Sequence, residues 1–110
     1  MNAELAIAEI QRQVRELKDA KGFDITLEQR LAYLMTELGE VARETLKISR
    51  DGNDDTGKMS ASGAESVAEA LGMEIYDVIW NLLDLAEMAG VRNLEETFYK
   101  KASLNEGREW

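Results

Sequence analysis

The sequence predicts an all-α fold, a four-helix bundle-like domain of antiparallel helices that associates into an oligomer. Three observations predict it. The 110 residues contain no Pro, few β-branched residues and abundant Ala, Leu, Glu, Lys and Arg, a composition that favours helix and disfavours sheet. Apolar residues recur at helical spacing in four separate segments. Short turns at 21–25 and 90–93 join segments one to two and three to four, as between antiparallel neighbours.

The first segment runs roughly from Ala3 to Ala20, with Leu5, Ile10, Val14 and Leu17 on one face and Gly22 as its stop. The second opens at Thr26, where Thr-Leu-Glu-Gln forms a capping box. It carries Leu27, Leu31, Leu34, Leu38, Val41 and Ile48 to about Ser49. The third starts near Ser62 or Ser66, both of which fit a capping box, and ends at Gly90. The fourth starts at Asn93, with Glu95 and Glu96 in a first turn that favours negative charge, and is expected to run to the C-terminus. One domain over 1–110 is the expectation at this length, with a flexible polar loop at about 50–62.

Composition also excludes chemistry. There is no Cys and no His, hence no disulfide, thiol nucleophile, Ser-His-Asp triad or ordinary zinc site. Protein ligands to a metal must be oxygens, which favours magnesium, manganese or calcium. A net charge of −9 argues against DNA or RNA as a partner, because their affinity rests on basic patches. The acidic N-terminus lacks the basic start of a signal peptide and no apolar run approaches a membrane span, so a cytoplasmic protein with no membrane partner is expected.

Two motifs in the loop fail on their chemistry. Gly52 to Met59 imitates a P-loop, but Met59 cannot ligate magnesium and Asp54 and Asp55 repel phosphate. Asp51-x-Asn53-x-Asp55 opens like an EF-hand, but Thr56 stands where Gly is needed and Ser62 where Glu is needed.

The third segment carries the chemistry. At about 100° per residue, Leu71, Ile75, Val78, Leu82, Leu85 and Ala86 share one broad face expected to meet the core. Opposite lies a stripe of Glu74, Asp77, Asn81 and Asp84, flanked by Met73, Tyr76, Trp80, Leu83 and Met88. A helix apolar almost all round belongs in a core or an interface, so this stripe is not an ordinary solvent face, and Met73, Tyr76 and Trp80 call for a second protomer. In the second segment Glu37 and Glu40 are neighbours at i and i+3, with Tyr33 just above. Antiparallel pairing would gather Glu37, Glu40, Glu74 and Asp77 around one point, an arrangement that a divalent cation relieves. On the fourth segment Leu94 and Phe98 mark the inward face, which continues to Lys101, Asn105 and Arg108. Carboxylates with a basic stripe describe a phosphate-metal site.

Thr36-Glu37-Leu-Gly-Glu40-Val-Ala, Met73-Glu74-Ile-Tyr-Asp77-Val-Ile-Trp-Asn81 and Lys100-Lys101-x-x-x-Asn105-x-x-Arg108 resemble the MazG-like all-α nucleoside triphosphate pyrophosphohydrolases over about residues 23 to 110. The resemblance implies hydrolysis of an NTP, dNTP or modified NTP to NMP and pyrophosphate, as in nucleotide-pool house-cleaning. It implies magnesium, or manganese, held by Glu37, Glu40, Glu74 and Asp77, with Glu37 or Glu40 also taking a proton from water. Lys101, Asn105 and Arg108 would lie near phosphates or sugar and Asn81 towards the base, with Tyr33 and Trp80 as further pocket candidates. A homodimer or homotetramer is implied. Thr36 departs from the family's E-E-x-x-E, where a Glu stands first. Two alternatives accompany this reading: a non-catalytic acidic helical interaction or regulatory module, and a related pyrophosphohydrolase acting on a phosphoribosylated nucleotide.

Overall fold

Four helices make up the fold: α1 (Ile7–Lys21), α2 (Leu27–Arg50), α3 (Ala61–Met88) and α4 (Leu94–Glu106). The computed structural model describes residues 6–50 and 61–109, with the backbone path alone for 61–66. Leu5 and residues 51–60 lie outside the described residues; of the loop expected at about 50–62, Arg50 ends α2, and Ala61 and Ser62 open α3. There is no strand among the described residues, in keeping with the all-α expectation. None of the described helices is long and apolar enough to cross a membrane.

The chain divides into two compact units, one of Met1–Leu27 with Leu83–Trp110 and one of Glu28–Leu82. In the first, α1 lies against α4 and is tied to the end of α3 by a ladder of polar contacts. Lys18 Nζ stands 3.0 Å from Asp84 Oδ1, and Arg15 Nη1 donates to Glu87 Oε2 at 3.0 Å. One turn further along α1, Gln11 Nε2 donates to the Val91 carbonyl at 3.4 Å and its Oε1 accepts from the Leu94 amide at 3.3 Å. Residue numbers fall on α1 as they rise beyond Asp84, so the two runs are antiparallel. Gln11 is 2% exposed and Asp84 fully buried, and Val14 and Leu83 of the same two helices are buried too. Because Gln11 satisfies the first amide of α4 and a carbonyl of the preceding turn, it does for α4 what a local cap alone would not.

The helix ends follow their residues. Gly22 closes α1 in the left-handed conformation, φ 66°, its amide donating to the Lys18 carbonyl at 2.9 Å. Gly90 turns the chain out of α3 at φ 87°, a region costly for residues with a Cβ. Asn93 caps α4 as expected, its side-chain oxygen accepting from the Glu96 amide at 3.0 Å.

Three expectations are corrected. Helix α4 stops at Glu106, with Gly107 at its cap, so Arg108 does not continue the helical stripe of Lys101 and Asn105. Its amide instead closes a turn onto the Asn105 carbonyl at 3.2 Å. Phe98, assigned to an inward face, is 56% exposed. On α3 the buried residues are Asn81, Leu83 and Asp84, whereas Ile75 and Leu82 of the expected core face are exposed. Polar groups prevail there because each meets a charged or amide partner, and a buried polar group that is satisfied costs little.

Gln11→Ala would leave the Leu94 amide and the Val91 carbonyl without their side-chain partner, a loss of about 1–2 kcal/mol. Urea denaturation followed by circular dichroism is expected to show a lower midpoint at unchanged slope.

Candidate metal centre

The second unit pairs α2 with α3. Going up α2 from Arg30 to Glu37, the partners on α3 descend from Trp80 and Asn81 to Asp77 and Glu74, so the helices run antiparallel. Helical spacing explains which side chains meet. Arg30, Leu34 and Glu37 fall at i, i+4 and i+7 of α2, and Glu74, Asp77 and Asn81 at i, i+3 and i+7 of α3, each set on one face.

Glu37, Glu74 and Asp77 each contribute a carboxylate oxygen to a group whose members lie within 4.8 Å of one another, and all three side chains are half-buried. Burial pushes the Glu37 carboxyl above its ordinary value near 4.5, and the charges of Asp77 and then Glu74 push it the same way. The donor set suits a hard cation. Opposite oxygens around magnesium are about 4.2 Å apart and around calcium about 4.6–5.2 Å. Separations within 4.8 Å are on the scale of oxygens that share one such cation.

Of the four carboxylates expected at this point, three come together. Glu40 does not join them. It sits one turn beyond Glu37, and its carboxylate is paired with Arg43 on the same helix. Thr36, where the MazG-like pattern has Glu, is exposed and donates its hydroxyl to the Ala32 carbonyl at 3.1 Å. Its hydroxyl is thus bonded back to its own helix, and supplies no replacement carboxylate.

Above the carboxylates, Asn81 is buried at 8% exposure and held at both ends of its amide. Arg30 Nη1 donates to Oδ1 at 2.7 Å, and Nδ2 donates to the Asp77 carbonyl at 2.7 Å. The Arg30 guanidinium lies 5.0 Å from the Trp80 ring centroid and 5.9 Å from that of Tyr33, within the range of cation–π attraction. Tyr33 itself is exposed. Sequence reasoning passed over Arg30, although its place one turn below Leu34 and two below Glu37 was a readable signal.

Lys101, Asn105 and Arg108 belong to the other unit. Lys101 is exposed on α4, Arg108 is exposed beyond its end, and Asn105 is half-buried. The Asn105 Oδ1 is buried and has no hydrogen-bond partner among the described residues.

Fold and site together describe an all-α chain with an oxygen-only carboxylate cluster. Compared with protein-family models, with curated proteins and with solved structures, the chain matches none.

The raised Glu37 carboxyl has a sign that can be measured. The folded state holds this proton more tightly than the unfolded one, so stability falls as pH rises from about 4.5 through the folded value. In chelator, Glu37→Gln is expected to raise Tm at pH 7 by on the order of 2 °C, and to leave it unchanged well below pH 4.5, at about pH 3, where both states are protonated. A pH series of thermal melts checks both arms.

Proposed function

We propose that this protein is a divalent-cation-dependent nucleoside triphosphate pyrophosphohydrolase, releasing pyrophosphate from an NTP or dNTP, ordinary or modified. The observation that carries the reading is the convergence of Glu37, Glu74 and Asp77 from two antiparallel helices onto one point. It joins the resemblance of these same residues, and of Lys101, Asn105 and Arg108, to the MazG-like pattern. A phosphoanhydride needs charge neutralisation and an activated water, and this chain has no His or Cys to supply the second.

In this reading Glu37, Glu74 and Asp77 hold magnesium, or manganese in its place, with Glu40 joining once it leaves Arg43. Bound there, the cation supplies charge neutralisation on the phosphates and a more acidic water. One of the two α2 carboxylates, Glu37 or Glu40, takes the water's proton. Asn81 and Tyr33 serve the base, and the resemblance alone assigns Lys101, Asn105 and Arg108 of the other unit to phosphates and sugar. A phosphoribosylated nucleotide is the related substrate to include in any panel.

A homodimer or homotetramer belongs to the same proposal. Among the described residues, Val14, Leu34 and Leu83 are the buried large apolar side chains, while Leu27, Leu31, Met35 and Leu38 of α2 and Met73, Ile75, Tyr76 and Ile79 of α3 are exposed. So small a core is inadequate for a stable domain of this size, and so much apolar helix surface is what a second copy covers. Sedimentation is expected to find a dimer or larger at micromolar concentration; a stable folded monomer would remove this part.

One observation favours a second reading, a non-catalytic acidic helical interaction module. It is the Thr36 hydroxyl, bonded to its own helix where the family pattern has a carboxylate.

The test is pyrophosphate release from a panel of ribo-, deoxy- and modified NTPs with magnesium. Glu74→Ala and Asp77→Ala are expected to lower it at least about 100-fold, since each removes a cation ligand. Millimolar magnesium is expected to raise the wild-type Tm by several degrees through binding to the folded state, and neither variant is expected to show the rise. Magnesium stabilisation without turnover on any substrate would favour the interaction module.

A further inference from the structure

Arg30 is the side chain that the proposed reaction leaves without a role, and its surroundings are unusual. It is a cation 7% exposed, near two aromatic rings, with Nη1 on an amide oxygen at 2.7 Å. Burying a guanidinium is costly unless its hydrogen bonds and stacking are well made. The amide it meets is Asn81, on the same face of α3 as the carboxylates and one turn above Asp77.

The chemistry at Asn81 allows one orientation. A guanidinium N–H requires an acceptor and a backbone carbonyl requires a donor. Oδ1 must therefore point to Arg30, and Nδ2 to the Asp77 carbonyl. Either contact alone would steer the amide weakly, but the charge-assisted bond from Arg30 is the stronger of the two. With both made, Asn81 keeps one hydrogen on Nδ2 and one lone pair on Oδ1 in fixed places. An amide free to flip offers donor and acceptor in either order and discriminates poorly between planar rings. A locked one discriminates.

Spacing places this pair at a suitable distance from the carboxylates. Along α3, Asn81 lies four residues from Asp77 and seven from Glu74, about 6 and 10 Å along the helix axis. That is the scale of a ligand with a cation-binding phosphate at one end and an aromatic ring at the other.

We propose that Arg30 is a positioning residue for base selection: by holding Oδ1 of Asn81, it fixes the amide that reads the nucleobase. This rests on the pyrophosphohydrolase reading and adds to it the residue that sets discrimination among bases. Arg30 acts through Asn81 and takes no part in phosphate chemistry.

The experiment measures kcat and KM for pyrophosphate release from NTPs of four different bases with magnesium. It uses the wild type, Arg30→Met, Asn81→Ala and the double variant. Arg30→Met is expected to narrow the spread of kcat/KM across the bases by about tenfold, the scale of one charge-assisted hydrogen bond. The loss should fall on KM, with kcat for the best base within about twofold, and the magnesium-induced rise in Tm should remain. In the Asn81→Ala background, Arg30→Met should produce no further change. Equal losses in both backgrounds, an unchanged spread, or a loss confined to kcat would overturn the proposal. So would a variant whose circular dichroism shows lost helix, since Arg30 would then serve the fold. Wild-type protein that releases no pyrophosphate from any nucleotide overturns the underlying function and this inference with it. Release that Arg30→Met leaves unaltered overturns the inference alone.

Discussion

The inward-facing polar stripe of α3 is the constraint on which the described structure depends. Glu74, Asp77, Asn81 and Asp84 recur on one side of that helix, and Asn81 and Asp84 are among its most buried residues. A buried carboxylate or amide is tolerated only with a partner. Asp84 has Lys18 of α1 beside it and Asn81 has Arg30 of α2. Glu74 and Asp77 instead meet another carboxylate, Glu37. The upper part of the stripe is therefore satisfied by this chain's own cations and donors. The lower part gathers charge of one sign, and that imbalance makes the lower part the candidate site.

Much of this was readable before the structure, and the unreadable part has a physical cause. Helix type and position follow from local properties: the stop at Gly22, the cap at Asn93 and the Leu34 stripe need only periodicity and terminal chemistry. Glu37, Glu74 and Asp77 were also legible, because i, i+3 spacing places them on one face whatever the helix packs against. Burial was not. A helical wheel ranks faces by hydropathy and cannot see that Asn81 and Asp84 have partners on other helices. It therefore assigned Ile75 and Leu82 to the core while the polar side was buried. The same blindness hid Gln11 and Arg30, long polar side chains that look like solvent residues until their partners are known. Glu40 shows the converse: it shares a face with Glu37, but Arg43 three residues on competes for its charge.

The exposed apolar surface and the site bear on one another. Exposed Tyr33, Met73 and Tyr76 flank the α2 and α3 faces that carry the carboxylates and Arg30. Covering them with a second copy would lower the local dielectric around the cluster, strengthening both its internal repulsion and any cation's hold on it. Assembly and cation binding would then reinforce one another, because each raises what the other stabilises. An isolated protomer in chelator would bear the repulsion without relief.

Thr36 sharpens what the cluster alone can do. Three carboxylates of formal charge −3 can more than neutralise one divalent ion, so holding a cation does not require a fourth. What a fourth carboxylate beside Glu37 would add is a proton acceptor separate from the ligands. With the Thr36 hydroxyl turned onto Ala32, that duty falls on a residue that also ligates, or on Glu40 once it parts from Arg43. A ligand that doubles as a base works at a disadvantage, since the cation it holds withdraws the charge that makes it basic. Glu40 escapes that conflict for as long as it stays outside the cation's ligands. The Arg43 contact is between partly exposed groups on one helix, the kind of pair worth little, so its carboxylate can turn towards Glu37 at small cost. In the proposed reaction, the balance between the Arg43 pair and the cluster would thus be the physical point on which turnover, as distinct from binding, depends.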